Sequence, residues 1–401
     1  MQECNGFSLA EGSEVWQQSV EAVIRERVRE LIEQILEEEV EAAVGARRGE
    51  RSGGRGGYRH GHKARRLALR SGAVELAVPR ARLAEGEGGE REWRSGLLPR
   101  YRRSSPEVEQ AVIGVYLAGG NTRRIGRALA PLLQGAALSK SAVSRLIGRL
   151  QADYDAWRQR SLAGERIVYL YLDAIYPKVR SAGKVVSLPV LVALGVKDNG
   201  EKLLLALATG GAESGDAWQL LLQDLVARGV GRPQLIVSDG NKGLKTALER
   251  VWPLVAHQRC TVHKLRNLLA KAPKHAHDAV RQDYHAIVYA PSREQAEQAR
   301  RRFLAKWTKL APNVAVSLQE AGDELLTFYA FPASQHKSLR TTNSVERLQQ
   351  EFRRRVKTQA SLPSENAVLL LFFALYAGGQ IKMRRLEGWW TLKQAAAVAA
   401  A

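Results

Sequence analysis

Cysteine is nearly missing from this chain: Cys4 and Cys260 are the two in 401 residues. No disulfide framework can be built from such a pair, and a reducing compartment, the cytoplasm, is the expected home. Long apolar runs are missing as well. None approaches the roughly 18 residues that a membrane-spanning helix needs. No signal-peptide pattern opens the chain, so no membrane role is expected. Acid is in deficit, with 41 Asp+Glu against 61 Lys+Arg and a formal net charge of +20. What is present is an apolar fraction of 45%, which excludes general disorder, in a length suited to two to four domains. Twenty surplus positive charges on an ordered protein point to a polyanion, nucleic acid first among them. The alternative is a merely basic surface.

The charge is segregated along the chain. Residues 1–45 are acidic, and Val20–Leu36 spaces its apolar residues as an amphipathic helix. Such a face packs on the protein's own body or on a second copy; its negative sign argues for self-association over nucleic-acid contact. Residues 46–105 reverse the sign. Arg55, Arg59, Lys63, Arg65 and Arg66 alternate with glycines, reading as a supple arm that tracks phosphates along a duplex, or as a solvated linker. A short strand follows from Gly72 and ends at Pro79. His60 and His62 have no cysteine nearby and are not read as a metal site.

Residues 106–160 read as helices. Glu107–Leu117 is closed by Gly119-Gly120, a second helix covers Thr122–Leu133, and Gly135 turns the chain into a third, capped by Ser139. Two short helices joined by a glycine-bearing turn form a helix-turn-helix, with an ordinary helical hairpin as the alternative. In that motif Lys140, Ser141, Ser144 and Arg145 face the major groove, and Arg123 and Arg124 on the preceding helix favour DNA.

From Arg166 the pattern changes to strands. Ile167–Asp173 is a β-forming run ending on a carboxylate, Val185–Val196 is a second, and Lys202–Thr209 a third after the turn Asp198-Asn-Gly200. A helix over Ser214–Arg228 leads to Gln234–Asp239, a strand again ending on Asp before a glycine turn. Three strands, a helix and a fourth strand match the ribonuclease-H-like arrangement, in which the first and fourth strands are neighbours. Two carboxylates so placed concentrate negative charge that calls for a cation, and hard ions such as Mg²⁺ take oxygen ligands. Two ions could activate the attacking oxygen and stabilise the leaving one in phosphoryl displacement. A third acid would come from the helix Thr341–Arg355, where Glu346 and Glu351 lie on different faces.

The runs Leu172-Asp-Ala-Ile-Tyr-Pro-Lys-Val-Arg180, Ser238-Asp-Gly240, Gln258–His263 with Leu265-Arg-Asn267, and Thr341–Arg347 with Glu351–Arg355 resemble the Mutator-type insertion-sequence transposases. The motifs occur in the family's order over roughly residues 90–385. The resemblance implies a ribonuclease-H-like catalytic core over 161–268 and 336–401, interrupted by an all-helical insertion over 269–335. It implies Asp173, Asp239 and Glu346 as the catalytic, metal-binding triad, with two Mg²⁺ ions that Mn²⁺ could replace. Cys260, His263 and Arg347 would support the acids. A zinc reading of Cys260 and His263, with His275 and His277, rests on a single cysteine and is weak. Lys264, Arg266, Arg353, Arg354 and Arg355 would extend the DNA surface. The implied partners are double-stranded DNA, both element ends and target, and a second copy of the chain, with no nucleotide cofactor and a nucleoid location. Asn241 stands where the family more often has histidine, and Gln349 where it favours asparagine. Of the eight tryptophans, Trp252, Trp307, Trp389 and Trp390 are expected in the core, and Ala395–Ala401 as a frayed tail.

Overall fold

The computed structural model describes residues 9–50, 53–85, 89–117, 125, 129–130, 140–181, 183–210, 214–357, 361–362, 364–379 and 381–392. The chain divides into two compact units, Met1–Arg149 and Leu150–Ala401.

The first unit joins a long helix to a hairpin. Helix α1 (Leu9–Val44) extends the expected helix at both ends. Leu36, Val40 and Val44, four residues apart and so on one face, are buried with Leu67, Val74, Leu76, Ala81 and Leu83 of the hairpin. Over this half the packing face belongs to the chain's own body. The Gly/Arg stretch is not the supple arm expected from its glycines. It forms β1 (Gly57–Leu69), paired antiparallel with β2 (Gly72–Glu85), and β3 (Gly89–Glu92) extends the sheet. Burial of Leu67 and a ladder interrupted by one register shift outweigh the entropic cost of a few glycines. At Gly57 the residue is required, because a Cβ there would run into the carbonyl of Arg82. Strand β2 does not stop at Pro79; the proline lies opposite His62, beside a register shift between Arg59 and His62, where sheets tolerate proline.

Helices α2 (Pro106–Leu117) and α3 (Lys140–Gln159) share a small core in which Val108, Val112, Ile125, Leu129, Val143 and Leu146 meet. Most of the expected intervening helix and its turn, including Arg123 and Arg124, lies outside the described residues.

The second unit carries a five-stranded sheet. In chain order come β4 (Ile167–Ile175), the hairpin β5 (Lys178–Ser181) and β6 (Lys184–Ser187), β7 (Val190–Lys197), β8 (Lys202–Thr209), helix α4 (Gly215–Ala227), β9 (Leu235–Ser238), helix α5 (Lys242–Val251) and β10 (Ala256–Arg259). The sheet order is β10-β9-β4-β7-β8, antiparallel among β4, β7 and β8 and parallel among β4, β9 and β10. The expected single strand 185–196 is split at Leu188-Pro189, where proline interrupts the ladder. Alternation sorts β4: Leu170 and Leu172 join Trp218, Leu222, Ile236 and Leu244 in the core beneath α4 and α5, so Tyr169, Tyr171 and Asp173 face the other side.

After β10 the described chain is helical: α6 (Thr261–Lys271), α7 (His277–Val288), α8 (Arg293–Leu310), α9 (Pro312–Gln319), several short 3₁₀ turns, α10 (His336–Leu339), α11 (Asn343–Lys357) and α12 (Glu365–Ala377). Residues 269–335 build a core of their own from Val280, Tyr284, Phe303, Trp307 and Leu318. Trp252 and Trp307 are buried as expected, whereas Trp390 is 60% exposed. Its neighbour Trp389 takes the packing position over Gly200 and turns Trp390 outward. The alanine-rich tail lies outside the described residues. No described helix is long and apolar enough to cross a membrane.

Candidate active site

The strand register brings the first two acids together. Strands β4 and β9 pair Tyr169 with Leu235, Leu170 with Ile236 and Tyr171 with Val237. The same register carried two residues on leads to Asp173 and to Asp239, just past the end of β9, and the charge of Asp239 is felt at Asp173. Asp173 is not the last residue of its strand. Pairing of Asp173 with Val192 carries β4 on to Ile175. Asp239 follows the end of β9, where Gly240 takes a left-handed φ of 83° and turns the chain into α5. Asn241 then caps that helix, its Oδ1 accepting from Gly243 N (2.8 Å) and Leu244 N (3.2 Å). The departure from the family's histidine therefore fills a helix-capping position.

Strand β10 lies on the far side of β9 and delivers Cys260, whose backbone N–H donates to Ser238 O at 2.7 Å. The buried Cys260 Sγ in turn accepts from Thr342 N (3.4 Å) and Thr342 Oγ1 (3.3 Å). Thr342 precedes α11, and its carbonyl accepts from Glu346 N at 2.9 Å, so Cys260 fastens the helix start one turn before Glu346. Two tyrosines on the Asp173 face of β4 brace the approach to α11. Tyr169 Oη donates to Gln335 Oε1 (2.6 Å) and Tyr171 Oη to Ser338 O (3.0 Å). Behind Asp239, Ser238 Oγ meets His257 Nε2 at 2.8 Å, and His257 Nδ1 lies 3.4 Å from Glu324. The tyrosine and His257 braces were not foreseen from the sequence, although tyrosines in phase with Asp173 on an apolar strand were a legible signal.

Electrostatics tie the acids into one site. Burial, joined by the charges of Asp239 and Glu346, pushes the Asp173 carboxyl up to about 6 against the pull of His263 and the Ala174 N–H. His263 is raised to about 9, first by its hydrogen bond to Cys260 and then by the charges of Cys260, Asp173 and Asp239, with burial opposing. Burial raises the Cys260 thiol, but the His263 contact prevails and lowers it. Glu346 Oε1 lies 3.8 Å from His263 Nε2 and 3.4 Å from Arg266 Nη1. Glu346, not Glu351, is thus the acid felt at Asp173; Glu351 pairs with Arg354 at 3.3 Å.

The donor set suits a hard cation. Asp173 Oδ2 and Glu346 Oε1 are buried oxygens with no hydrogen-bond partner, the kind of group an oxygen-seeking ion satisfies. Among the described residues, however, no three Asp, Glu, His or Cys side chains converge closely enough to chelate one ion as they stand. Glu346 is held instead by the cations His263 and Arg266.

The remaining expected residues divide by position. Lys264, expected at the surface, is buried: it is 1% exposed, and its Nζ donates to Ser317 Oγ at 3.1 Å. It lies on the face of α6 that packs on α9, which helical periodicity turns away from exposed Arg266. Arg347 is exposed, with its charge felt at Lys202 of β8, and no described ion pair joins it to the three acids. Arg353 is exposed, Arg354 is engaged with Glu351, and the Arg355 side chain lies outside the described residues. In the first unit, Arg55, Lys63 and Arg66 are exposed. Arg59 is tied down by Ala46 O (2.9 Å) and Glu37 (3.7 Å), and Arg65 by the carbonyls of Leu98 and Pro99. On α3, Ser141, Ser144 and Arg145 occupy the exposed side; Lys140 opens the helix, and its side chain lies outside the described residues.

The fold is thus a mixed α/β one, with an aspartate on β4, a second just past β9 and a glutamate one turn into α11. The chain belongs to the Mutator family of transposases, whose pattern it matches over residues 3–381. It is 36% identical over 311 residues to the transposase for insertion sequence element ISRM5 of Rhizobium meliloti, covering 78% of this chain and 76% of that one. It is 34% identical over 317 residues to the transposase for element IS406 of Burkholderia multivorans, covering 79% of each. Among solved structures, the Drosophila P element transposase strand transfer complex aligns over 70% of this chain and 82% of that one, at 10% identity and a TM-score of 0.28.

Proposed function

We propose that this transposase cuts and joins DNA at the ends of an insertion sequence, through Asp173, Asp239 and Glu346. What supports the reading is the β4–β9 register, which runs towards Asp173 and Asp239, with the charges of Asp239 and Glu346 both felt at Asp173. The sheet order agrees with a ribonuclease-H-like core, and helical residues 269–335 with an insertion into it. Mg²⁺, or Mn²⁺ in its place, would be held by the three carboxylates and would supply charge stabilisation to the attacking and leaving oxygens of a phosphodiester.

The chain's own residues contribute position and charge. Asp173, ionised above about pH 6, presents a buried oxygen without a protein donor. Cys260 holds the start of α11 and so the depth at which Glu346 enters the site. Arg266 and His263 ion-pair with Glu346 and would have to release it for that carboxylate to hold a metal. Strand transfer exchanges one phosphodiester for another, so alignment of the 3′-hydroxyl with its target carries the catalysis. Helices α2 and α3, with the basic first unit, would bind the inverted repeats, and two ends held together call for a homodimer.

The test uses labelled element ends with Mg²⁺. Wild type should nick and join them, and Asp173→Ala should bind them but do neither. Nicking unchanged in Asp173→Ala refutes the site. Binding without nicking by wild type would favour a non-catalytic DNA-binding regulator, and nicking without joined product a plain nuclease.

A further inference from the structure

The first unit contains a basic recess that its sheet alone does not require. A cavity of about 600 Å³ lies between β1–β2 and the loop 93–103. Lys63, Arg66, Arg80, Arg94, Arg100 and Arg103 line it, against a single carboxylate, Glu92, 3.9 Å from Arg80. Arg65 ties the two walls together, reaching from β1 to the carbonyls of Leu98 (3.3 Å), Pro99 (2.6 Å) and Arg102. Its guanidinium is lowered by burial and by the charge of Arg103, as expected of cations crowded with too little acid among them.

Tyr101 stands at the rim. The turn is closed by Arg102 N–H on Pro99 O at 3.2 Å, and Tyr101 is its third residue, with φ of 70°. That position favours glycine or asparagine, so a bulky aromatic there is held in backbone strain. The strain hides nothing from water. Tyr101 is 73% exposed, with the Arg100 guanidinium 5.1 Å from its ring centroid. Trp93 contributes a second aromatic to the same recess.

We propose that this recess binds an unpaired stretch of nucleic acid, its phosphates along the cations and a base stacked on Tyr101. A duplex keeps its base faces stacked inside and offers only base edges and phosphates. A half-open recess with an aromatic rim suits a strand whose base is turned out. The inference rests on the DNA-binding part of the function proposed above and is independent of the three acids.

The experiment is fluorescence anisotropy on the full chain in EDTA, with a labelled oligo(dT) of about eight nucleotides, within the range one such site covers, and a duplex of equal length. Tyr101→Ala should weaken the oligonucleotide about tenfold and leave the duplex within twofold, while Tyr101→Trp restores binding. Lys63→Ala with Arg94→Ala should flatten the salt dependence for the oligonucleotide. Equal loss on both probes would overturn the proposal in favour of a duplex phosphate site. No loss on either would show that the recess is not a nucleic-acid site. Because no metal is present, failure here leaves the cutting role of Asp173 to be judged by its own assay.

Discussion

Asp173→Asn should stabilise the protein while abolishing strand cleavage. The carboxyl is 6% exposed and raised from its ordinary 3.8 to about 6 by burial and by Asp239 and Glu346. At 1.36 kcal/mol per tenfold in acidity, holding it ionised at neutral pH costs the fold about 3 kcal/mol. The sign follows from proton counting. Between pH 3.8 and about 6 the folded state binds more protons than the unfolded one, so stability falls as pH rises across that window. The penalty is fully present above about pH 6 and vanishes below 3.8. Asparagine has nearly the same shape and no charge to bury. In urea unfolding without divalent metal at pH 7.5, the variant should therefore exceed wild type by about 2–3 kcal/mol. The gap should close by pH 4. Adding Mg²⁺ should raise the wild-type midpoint by mass action and leave the variant nearly unmoved. An Asn variant no more stable than wild type at pH 7.5, or a gap independent of pH, would refute the reasoning.

Three further outcomes follow from other buried groups. Lys264, lowered to about 8 by burial and the charge of Arg259, makes its described hydrogen bond to Ser317. Lys264→Met should therefore raise urea stability at pH 7 by about 1–2 kcal/mol, less than the ionisation cost because Ser317 loses its partner. Wild-type stability should climb as pH rises from 8 towards 10.5, where the unfolded state binds the extra proton. Glu324 is held down at about 2: burial raises it, but the hydrogen bonds of His257 and Lys245 prevail. Glu324→Gln should cost about 1–2 kcal/mol at pH 7, discounted for the half-exposed Lys245, with the difference shrinking as pH falls from 4.5 towards 2. Cys260→Val would strand the N–H and hydroxyl of buried Thr342, so a loss of about 2–3 kcal/mol is expected by thermal or urea unfolding. It should also slow nicking more than DNA binding, and Cys260→Ser, which keeps an acceptor, should lose less of both.

Local chemistry determined much of this protein. The β-forming run around Asp173, the turn at Asp239-Gly240 and the polar-capped helix following Thr341 were all legible, because alternation, glycine turns and helical spacing act over a few residues. Where reading failed, a distant partner decided. Gly57–Leu69 has the composition of a flexible arm, yet it is a strand because β2 supplies its ladder and α1 covers its apolar side chains. Lys264 reads as one more basic residue in a basic run, yet the packing of α9 on α6 takes it from water. Of Glu346 and Glu351, helical spacing says only that they point apart. That Glu346 meets His263, Arg266 and the field of Asp173 is settled by Cys260 holding the start of α11 from 82 residues away in sequence. Sequence alone determines which side chains alternate, cap and turn, since those preferences lie within one element. Which carboxylate faces which cation depends on strand register and helix depth, and only contacts between remote segments set those.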